Sequence, residues 1–289
     1  MLHRRHVLTL TAAAALAPWL GAAASGGAFT ERFQALEHAL NGRLGVCALA
    51  VETGRLLTWR GDERFPICST FKWVLAAAVL HQFGHSQDLL RRISYSKADM
   101  VAYSPISEQH LAEGMTLGEL CAAAVQYSDN TAANLLLREV GGPAGLTAFA
   151  RGRGDPQFRL DRWEPALNTA LPGDLRDTST PSAMAHTLHN LLLGNGLGDA
   201  QRRQLTNWML GNTTGNARIR AGVPKGWAVA DKTGTGAYAS ASDVGMVWPV
   251  HGGPVALAIY TTQPSSAKAA PRDDIIAEAA KLVAQWASG

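Results

Sequence analysis

The chain has few cysteines and few charged residues. After its N-terminal segment, it has no apolar run long enough to span a membrane. Of its 289 residues, three are cysteines, and 17% are charged against 47% hydrophobic. A sequence this apolar excludes an intrinsically disordered chain, and its mixed composition excludes a membrane bundle. The length suits one large domain or two modest ones with a buried core.

The three cysteines form no Cys-x-x-Cys motif. Cys47, Cys68 and Cys121 each lie in an apolar run, which favours buried thiols. Their odd number leaves at least one thiol free even in a compartment that permits disulfides. We expect no disulfide within the chain.

Excess charge of either sign is also lacking. The formal net charge is +3, but two of the 26 basic residues, Arg4 and Arg5, lie in residues 1–24, which contain no Asp or Glu. Without that segment, 24 basic residues face 23 acidic ones, a net charge of +1. Because phosphate binding needs a clustered basic excess, nucleic acid is not expected as a partner.

Residues 1–24 have the pattern of a signal peptide. Arg4 and Arg5 precede an apolar run over residues 7–20, and Ala22 and Ala24 supply an Ala-x-Ala cleavage pattern. The run is short for a membrane span, which needs about 20 apolar residues, and Pro18 interrupts it. We therefore expect a cleaved signal, of ordinary secretory or twin-arginine type, with a retained anchor as the alternative.

Hydrophobic periodicity predicts strands near both termini and helices between them. Helices are predicted over residues 31–40 with Thr30 as N-cap, 69–83, 117–127, 131–140, 181–193, 199–210 and 272–286, and strands over 45–52, 55–59, 227–231, 243–250 and 255–261. Residues 151–180 lack periodicity and are too long for an ordinary connection, which indicates a functional loop. This order predicts an α+β fold whose sheet layer is interrupted by a mostly helical subdomain, with a site between the two.

Ser69 and Lys72 lie three residues apart at the start of a predicted helix. That spacing places both side chains on one face, about 5–6 Å apart at Cβ. A desolvated lysine can lose its proton and then act as base toward the hydroxyl, while the helix N-terminus favours developing negative charge. Most Ser-x-x-Lys pairs are only a polar cap and a solvated lysine, so the spacing alone is weak.

Two further polar motifs are equally weak when taken singly. Ser128-Asp129-Asn130 separates two apolar helices, where a turn or helix cap is the ordinary explanation. Lys232-Thr233-Gly234 follows the apolar strand WAVAD, and Gly234 and Gly236 would allow a substrate backbone to approach closely.

Together and in this order, the three motifs are the signature of class A β-lactamases and penicillin-binding proteins. Over essentially the whole mature length, the chain resembles the class A serine β-lactamases. The matching stretches are PICSTFKW, MTLGELCAAAVQYSDNTAANLLL, DRWEPALN, RDTSTP and DKTGTG. The resemblance implies an antiparallel sheet flanked by helices, built from residues 25–65 and 212–289, with an inserted helical subdomain over 66–211 that includes an Ω-loop over 160–178.

The resemblance also implies the chemistry, which is hydrolysis of penicillins and cephalosporins through a serine acyl-enzyme. Ser69 would be the nucleophile, Lys72 its partner in proton transfer, and Ser128 the donor to the departing lactam nitrogen. Whether acylation uses Lys72 or a carboxylate-bound water as base is disputed for the family.

The remaining residues of the resemblance bind substrate. Asn130 would hydrogen-bond the acylamido side chain, Tyr103 would form an aromatic wall at the cleft mouth, and Lys232 with Thr233 would hold the carboxylate. Gly234 and Thr235 are counted with them as substrate-binding residues, and the backbone N–H groups of Ser69 and Thr235 would form the oxyanion hole.

Glu164 distinguishes the β-lactamases from their relatives. Within DRWEPALN, Glu164 and Asn168 match the pair that holds the deacylating water, and Glu164-Pro165 is a candidate cis peptide. Arg162 and Asp177 match the pair that ties the ends of the loop together.

One substrate-binding arginine has rivals. Arg218 resembles the arginine that some members place near the substrate carboxylate, while Arg220 and Arg272 are alternatives. The chain departs from the family at two disulfides. In carbapenem-hydrolysing members, the cysteine equivalent to Cys68 is bonded to a second cysteine at the position of Gly236. In other members, the cysteine equivalent to Cys121 is bonded to a second cysteine at the position of Ala76. We therefore do not expect strong carbapenem hydrolysis.

Three rival functions remain at this point. A penicillin-binding D,D-peptidase lacks the Glu164 and Asn168 pair, and a β-lactam sensor would need a membrane span after the signal. A zinc hydrolase would use His81 with His85 or His186 with His189, but HQFGH lacks the glutamate of His-Glu-x-x-His. The expectation is thus an exported, periplasmic, monomeric enzyme that needs no metal or cofactor and contacts neither nucleic acid nor membrane.

Overall fold

The structure is a computed structural model that describes residues 20–84 and 87–289. Residues 1–19, most of the predicted signal peptide, lie outside the described residues. The helices are α1 (Leu20–Leu40), α2 (Phe71–Phe83), α3 (Leu117–Gln126), α4 (Asn130–Glu139), α5 (Gly142–Gly152), α6 (Pro181–Leu192), α7 (Asp199–Leu210), α8 (Ile219–Gly222) and α9 (Asp273–Ser288). The strands are β1 (Arg43–Ala50), β2 (Leu56–Trp59), β3 (Phe65–Pro66), β4 (Arg92–Ile93), β5 (Met115–Thr116), β6 (Thr178–Ser179), β7 (Ala228–Thr235), β8 (Ala241–Trp248) and β9 (Val255–Thr262).

The main sheet is antiparallel and joins the two ends of the chain, as predicted. Its strand order is β2-β1-β9-β8-β7, so β1 from the N-terminal part pairs with β9 from the C-terminal part. The chain between β2 and β7 forms helices and two short β-pairs, β3 with β6 and β4 with β5. The α+β class and the interrupted sheet are therefore confirmed.

Both faces of this sheet are buried, which explains why its strands read as continuous apolar runs. In β1, Val46 and Ala48 belong to a core shared with α1 and α9, whereas Cys47 and Leu49 belong to a core shared with α2 and α6. A strand covered on both sides needs apolar residues at every position rather than at alternate ones.

Helix α2 is the centre of the helical part of the molecule. Its residues from Phe71 to Leu80 are all buried, and all of them except Lys72 are apolar, as expected of a stretch of helix enclosed on every side. A 3₁₀ turn over Cys68–Thr70 leads into it and contacts β7. The first residues of α2 are thereby fixed against the last residues of β7.

Several element boundaries differ from the sequence prediction. Thr30 lies inside α1 rather than capping it, because the alanine-rich stretch before it also favours helix. The 3₁₀ turn replaces the first residues of the helix predicted over 69–83. The helix predicted over 131–140 ends at Glu139, before Gly141-Gly142-Pro143, but a further helix that was not predicted, α5, begins at Gly142, since proline is well tolerated in a first helical turn. Strand β7 continues to Thr235 rather than ending at Asp231.

No helix within residues 20–84 and 87–289 is long and apolar enough to cross a membrane.

The three cysteines are free and buried. Burial raises the pKa of the Cys47 and Cys68 thiols to about 12, so both stay protonated and poorly reactive at neutral pH.

We expect a thiol reductant to leave the melting temperature unchanged, as measured by circular dichroism. A native disulfide typically contributes about 2–5 kcal/mol, and 1 kcal/mol corresponds to roughly 2–4 °C at this size. A reductant-induced drop of about ten degrees would therefore contradict the free-thiol assignment.

Candidate active site

A cavity of about 500 Å³ opens where the start of α2 meets the end of β7. Nine of the twelve predicted site residues line it: Ser69, Tyr103, Ser128, Asn130, Asn168, Arg218, Thr233, Gly234 and Thr235. The other three, Lys72, Glu164 and Lys232, are buried and hydrogen-bond to those lining residues. The structure therefore brings together side chains from motifs more than 150 residues apart.

Lys72 is enclosed by acceptors. Its Nζ lies 3.0 Å from Ser69 Oγ, 2.8 Å from the Ser128 carbonyl oxygen, 2.6 Å from Asn130 Oδ1 and 3.0 Å from Glu164 Oε1. Burial lowers the pKa of Lys72, and the negative charge of Glu164 opposes that shift. A lysine in this setting can exchange a proton with Ser69 more readily than a solvated one.

Glu164 touches the same hydroxyl from the Ω-loop side. Ser69 Oγ lies 3.1 Å from Glu164 Oε1, and Asn168 Nδ2 donates to Glu164 Oε2 at 2.5 Å. Ser69 Oγ thus accepts a hydrogen bond from Lys72 Nζ and donates one to Glu164 Oε1. The two residues on which the alternative acylation routes depend, Lys72 and Glu164, therefore both lie next to the nucleophile.

Ser128 stands between the two buried lysines. Its Oγ is 3.4 Å from Lys72 Nζ and 3.1 Å from Lys232 Nζ. Burial, reinforced by the charge of Lys72, lowers the pKa of Lys232 well below its ordinary value. A hydroxyl held by two lysines can release its proton to a leaving group and regain one from a neighbour.

The backbone is strained at three places around the cavity. Cys68, Tyr103 and Ser128 adopt positive φ angles of 43°, 62° and 59°, although none of them is glycine. Such conformations cost about 1–3 kcal/mol each and cluster at functional sites. The backbone of Tyr103 is held in part by the Asn130 N–H, which donates to the Tyr103 carbonyl oxygen at 3.0 Å.

The sequence and the fold both match one family. Residues 28–287 match the model of the β-lactamase enzyme family. β-Lactamase CTX-M-97 of Escherichia coli is 53% identical over 254 residues, covering 88% of this chain and 87% of that protein. The carbapenem-hydrolysing β-lactamase KPC of Klebsiella oxytoca is 53% identical over 259 residues, covering 87% and 86%.

Solved structures agree with the sequence relatives. The crystal structure of a β-lactamase from Desulfarculus baarsii is 55% identical, with a TM-score of 0.89, covering 91% of this chain and 98% of that one. The class A β-lactamase of the last common ancestor of Gram-negative bacteria is 54% identical, with a TM-score of 0.86 over 90% and 99% of the two chains. This chain belongs to the class A serine β-lactamases. It therefore hydrolyses β-lactams through a serine acyl-enzyme.

In this β-lactamase, hydrogen bonds join the two ends of the loop that carries Glu164. Arg162 Nε donates to Asp177 Oδ2 at 2.6 Å, and the backbone N–H groups of Asp161 and Arg162 donate to Asp177 Oδ1 at 2.7 and 2.9 Å. The Glu164-Pro165 peptide is cis, as the resemblance implied.

Asn134 is a site residue that the sequence reasoning missed. Its Oδ1 accepts the Glu164 backbone N–H at 3.0 Å, and its Nδ2 donates to the Glu164 carbonyl oxygen at 2.9 Å. Both backbone groups of Glu164 are thereby fixed to α4. The signal in the sequence was its spacing, four residues after Asn130, which places both amides on one face of that helix.

Arg218 is the one of the three candidate arginines that lines the cavity. Its guanidinium donates to the carbonyl oxygens of Gly234 and Ser242 and to Thr235 Oγ1, each at 2.8 Å, and pairs with Asp273 at 2.9 Å. Arg220 instead pairs with the buried Asp231, and Arg272 pairs with Asp274 at the surface. Only Arg218 can therefore place its charge beside Thr235.

The cavity wall is closely packed behind Gly236. A Cβ at this position would lie 2.7 Å from Cys68 Sγ and 2.8 Å from the Asn168 carbonyl oxygen. The end of β7 therefore approaches both the nucleophile segment and the Ω-loop, but glycine supplies no second sulfur for Cys68.

The histidine pairs give no metal site in the described part of the chain. No group of three or more His, Cys, Asp or Glu residues there could hold a metal ion. His81 is in contact with the Arg153 guanidinium, at 2.6 Å from Nε2, while its predicted partner His85 lies outside the described residues.

Proposed function

We propose that the twelve predicted site residues perform the two half-reactions on penicillins and cephalosporins. Ser69 Oγ attacks the lactam carbonyl carbon, its proton passes to Lys72 or to a water held by Glu164, and the C–N bond breaks. Ser128 supplies the proton that the lactam nitrogen needs. The backbone N–H groups of Ser69 and Thr235 stabilise the oxyanion, where one donor is typically worth about 10²–10³ in rate.

Substrate binding in this proposal divides between the two sides of the cavity. Lys232 and Thr233 hold the carboxylate, and Gly234 leaves room for close approach. Asn130 binds the acylamido side chain, and Tyr103, which is 63% exposed, contributes the aromatic surface at the mouth.

The observation that carries this proposal is the position of Glu164. Its carboxylate reaches Ser69 Oγ with one oxygen and Asn168 Nδ2 with the other. A water bound to the Glu164 carboxylate and to Asn168 Oδ1, a buried oxygen with no hydrogen-bond partner among the described residues, would be both positioned and deprotonated next to an ester on Ser69. A peptidase or a sensor that stays acylated has no need of such a base.

Turnover of a chromogenic cephalosporin, a penicillin and a carbapenem tests the proposal spectrophotometrically. We expect repeated turnover of the first two, with no burst limited to one equivalent of enzyme, and slow carbapenem turnover. A single-equivalent burst followed by an adduct lasting hours would identify a penicillin-binding peptidase or sensor instead.

We further propose that residues 1–24 are removed on export and that the mature enzyme is a periplasmic monomer. In this proposal, residues 25–65 and 212–289 form the sheet layer, and 66–211 form the helical subdomain with its Ω-loop over 160–178. N-terminal sequencing of periplasmic protein and light scattering after size exclusion test both points. A start at residue 1, or a dimer mass, would overturn the corresponding part.

Arg218→Ala should chiefly weaken substrate capture. Arg218 holds Thr235 and places positive charge beside the carboxylate position, while Lys232 remains to hold part of that charge. We expect a loss of about 1.5–3 kcal/mol, the range for hydrogen bonds to charged groups, seen mostly as a higher KM. Arg272→Ala is the matched control and should be neutral in steady-state kinetics. If Arg272→Ala raises KM and Arg218→Ala does not, the arginine is wrongly assigned.

A further inference from the structure

Two buried aspartates face each other on neighbouring strands of the main sheet. The register pairs Asp231 of β7 with Gly245 of β8, and it pairs Thr233, two residues further along β7, with Asp243. Asp231 and Asp243 are therefore diagonal neighbours on one face of the sheet. Both are fully buried, and their carboxyl groups are in hydrogen-bond contact. Because an ionised carboxylate can only accept hydrogen bonds, this contact needs a proton on one of the two.

Asp231 has donors on both of its oxygens. Arg220 lies 2.7 Å from Oδ1, and the Asn212 amide donates to Oδ2 at 2.6 Å. That amide cannot be turned round, because Asn212 Oδ1 accepts the Thr214 backbone N–H at 3.1 Å, and a backbone N–H can only donate. A guanidinium and an amide N–H both need an acceptor, so Asp231 is the ionised member of the pair.

Asp243 has a donor on only one of its oxygens. Its Oδ2 accepts the Ile219 backbone N–H at 3.0 Å, whereas its Oδ1 is buried and receives no hydrogen bond from the described residues. A buried charged oxygen without a donor is unfavourable. A proton on Oδ1 removes that cost, because the oxygen then becomes the donor in the contact with Asp231.

The electrostatic surroundings of Asp243 agree with a bound proton. Burial and the negative charge of Asp231 raise the pKa of Asp243 well above its ordinary value, and the charge of Arg218 opposes that shift. The Arg218 guanidinium donates to two backbone carbonyl oxygens, to a threonine hydroxyl and to Asp273, so none of these hydrogen bonds reaches Asp243. Lys232 of β7 and Tyr260 of β9 also interact electrostatically with Asp243.

We propose that Asp243 is a positioning residue, which keeps its proton at neutral pH and donates it to Asp231. The pair then carries a single negative charge, on the residue that Arg220 contacts. Asp231 directly precedes Lys232, and its negative charge opposes the lowering of the Lys232 pKa by burial. The part of the inference that concerns activity rests on the proposed role of Lys232 in holding the substrate carboxylate.

The pH dependence of stability counts this proton. Asp243→Asn replaces the O–H donor with an N–H donor of similar size that does not titrate. An unfolded aspartate has a pKa of about 3.9, so above pH 5 the wild type releases one more proton on unfolding than the variant does. The unfolding equilibrium constant of the wild type should therefore rise about tenfold per pH unit relative to that of Asp243→Asn.

Urea unfolding of both proteins at pH 5, 6 and 7 measures that ratio. The pair carries the same charge in the wild type and in Asp243→Asn, so the titration of Lys232 and of other shared groups cancels in the comparison. A ratio that stays constant with pH overturns the inference. If the variant does not fold, infrared spectroscopy of the wild type at pH 7 should still show the band of a protonated carboxyl group, and absence of that band overturns the inference equally.

Asp231→Asn shows which of the two carboxyl groups holds the proton. This variant leaves Arg220 and Asn212 without their acceptor, so it should lower the melting temperature and raise KM more than Asp243→Asn does. The reverse order would place the proton on Asp231 and overturn the positioning role. A constant stability ratio with normal wild-type turnover leaves the proposed function intact. Absence of turnover in the wild type, with a ratio that rises tenfold per pH unit, counts against the proposed function alone.

Discussion

Ser69→Ala should abolish hydrolysis and covalent labelling together. Ser69 Oγ is the cavity atom that both Lys72 Nζ and Glu164 Oε1 approach, at 3.0 and 3.1 Å. Groups that act as a unit lose nearly all of their joint contribution when one is removed. We expect kcat to fall by about 10⁶-fold, as when a serine protease loses its nucleophile.

Intact-protein mass spectrometry after mixing with a penicillin checks the same variant directly. The Ser69→Ala protein should show no added penicilloyl mass. Among the described residues, Ser69 carries the hydroxyl that contacts both Lys72 and Glu164. Ser266→Ala, at an exposed serine that does not line the cavity, is the matched control and should retain activity. A penicilloyl adduct on Ser69→Ala protein would disprove the assignment of the nucleophile.

The sequence predicted contacts in the cavity where they follow from short spacings. Ser69 and Lys72 are one helical turn apart, so their contact follows from local geometry alone. The order of the three motifs then supplied the family, and with it Glu164 and Asn168. None of these assignments needed the three-dimensional path of the chain.

The residues that support those motifs were not predictable in the same way. Asn134 meets the backbone of Glu164 across 30 residues of sequence, and Thr214 meets Thr233 across 19. In the sequence, each is an ordinary polar residue in a helix or a loop. Only the packing of α4 and β7 shows that they hold site residues in place.

Element boundaries were missed where local signals conflict with packing. Asp231, Lys232 and Thr233 resemble the polar end of a strand, but β7 continues through them because each is paired with β8 in the sheet. These polar side chains are buried and find partners inside the protein: Asp231 pairs with Arg220, and Lys232 donates to Ser128. The end of β7 is therefore polar and still part of the sheet. Hydrophobic periodicity cannot detect such a polar continuation of a strand.

Glu164→Ala should separate the two half-reactions. Deacylation needs a base for the attacking water, and Asn168 alone can hold that water but cannot take its proton. General-base assistance contributes typically about 10²–10⁴-fold, so about 3–5.5 kcal/mol of barrier should return at this step. Acylation should suffer less where Lys72 can act as base. Loss of the Glu164 charge removes the influence that opposes the lowered pKa of Lys72, so more of that lysine is neutral.

The variant should therefore accumulate a penicilloyl adduct on Ser69 within minutes, as seen by intact-protein mass spectrometry, whereas the wild type should show none at steady state. Glu164→Gln keeps the size of the side chain and its capacity to hold water, so an adduct there as well would assign the defect to proton transfer. The double variant Ser69→Ala with Glu164→Ala should remain unlabelled, which places the adduct on Ser69. Wild-type turnover by Glu164→Ala would mean that the base lies elsewhere, since Asn168 and the backbone contacts of Asn134 position the loop but supply no carboxylate.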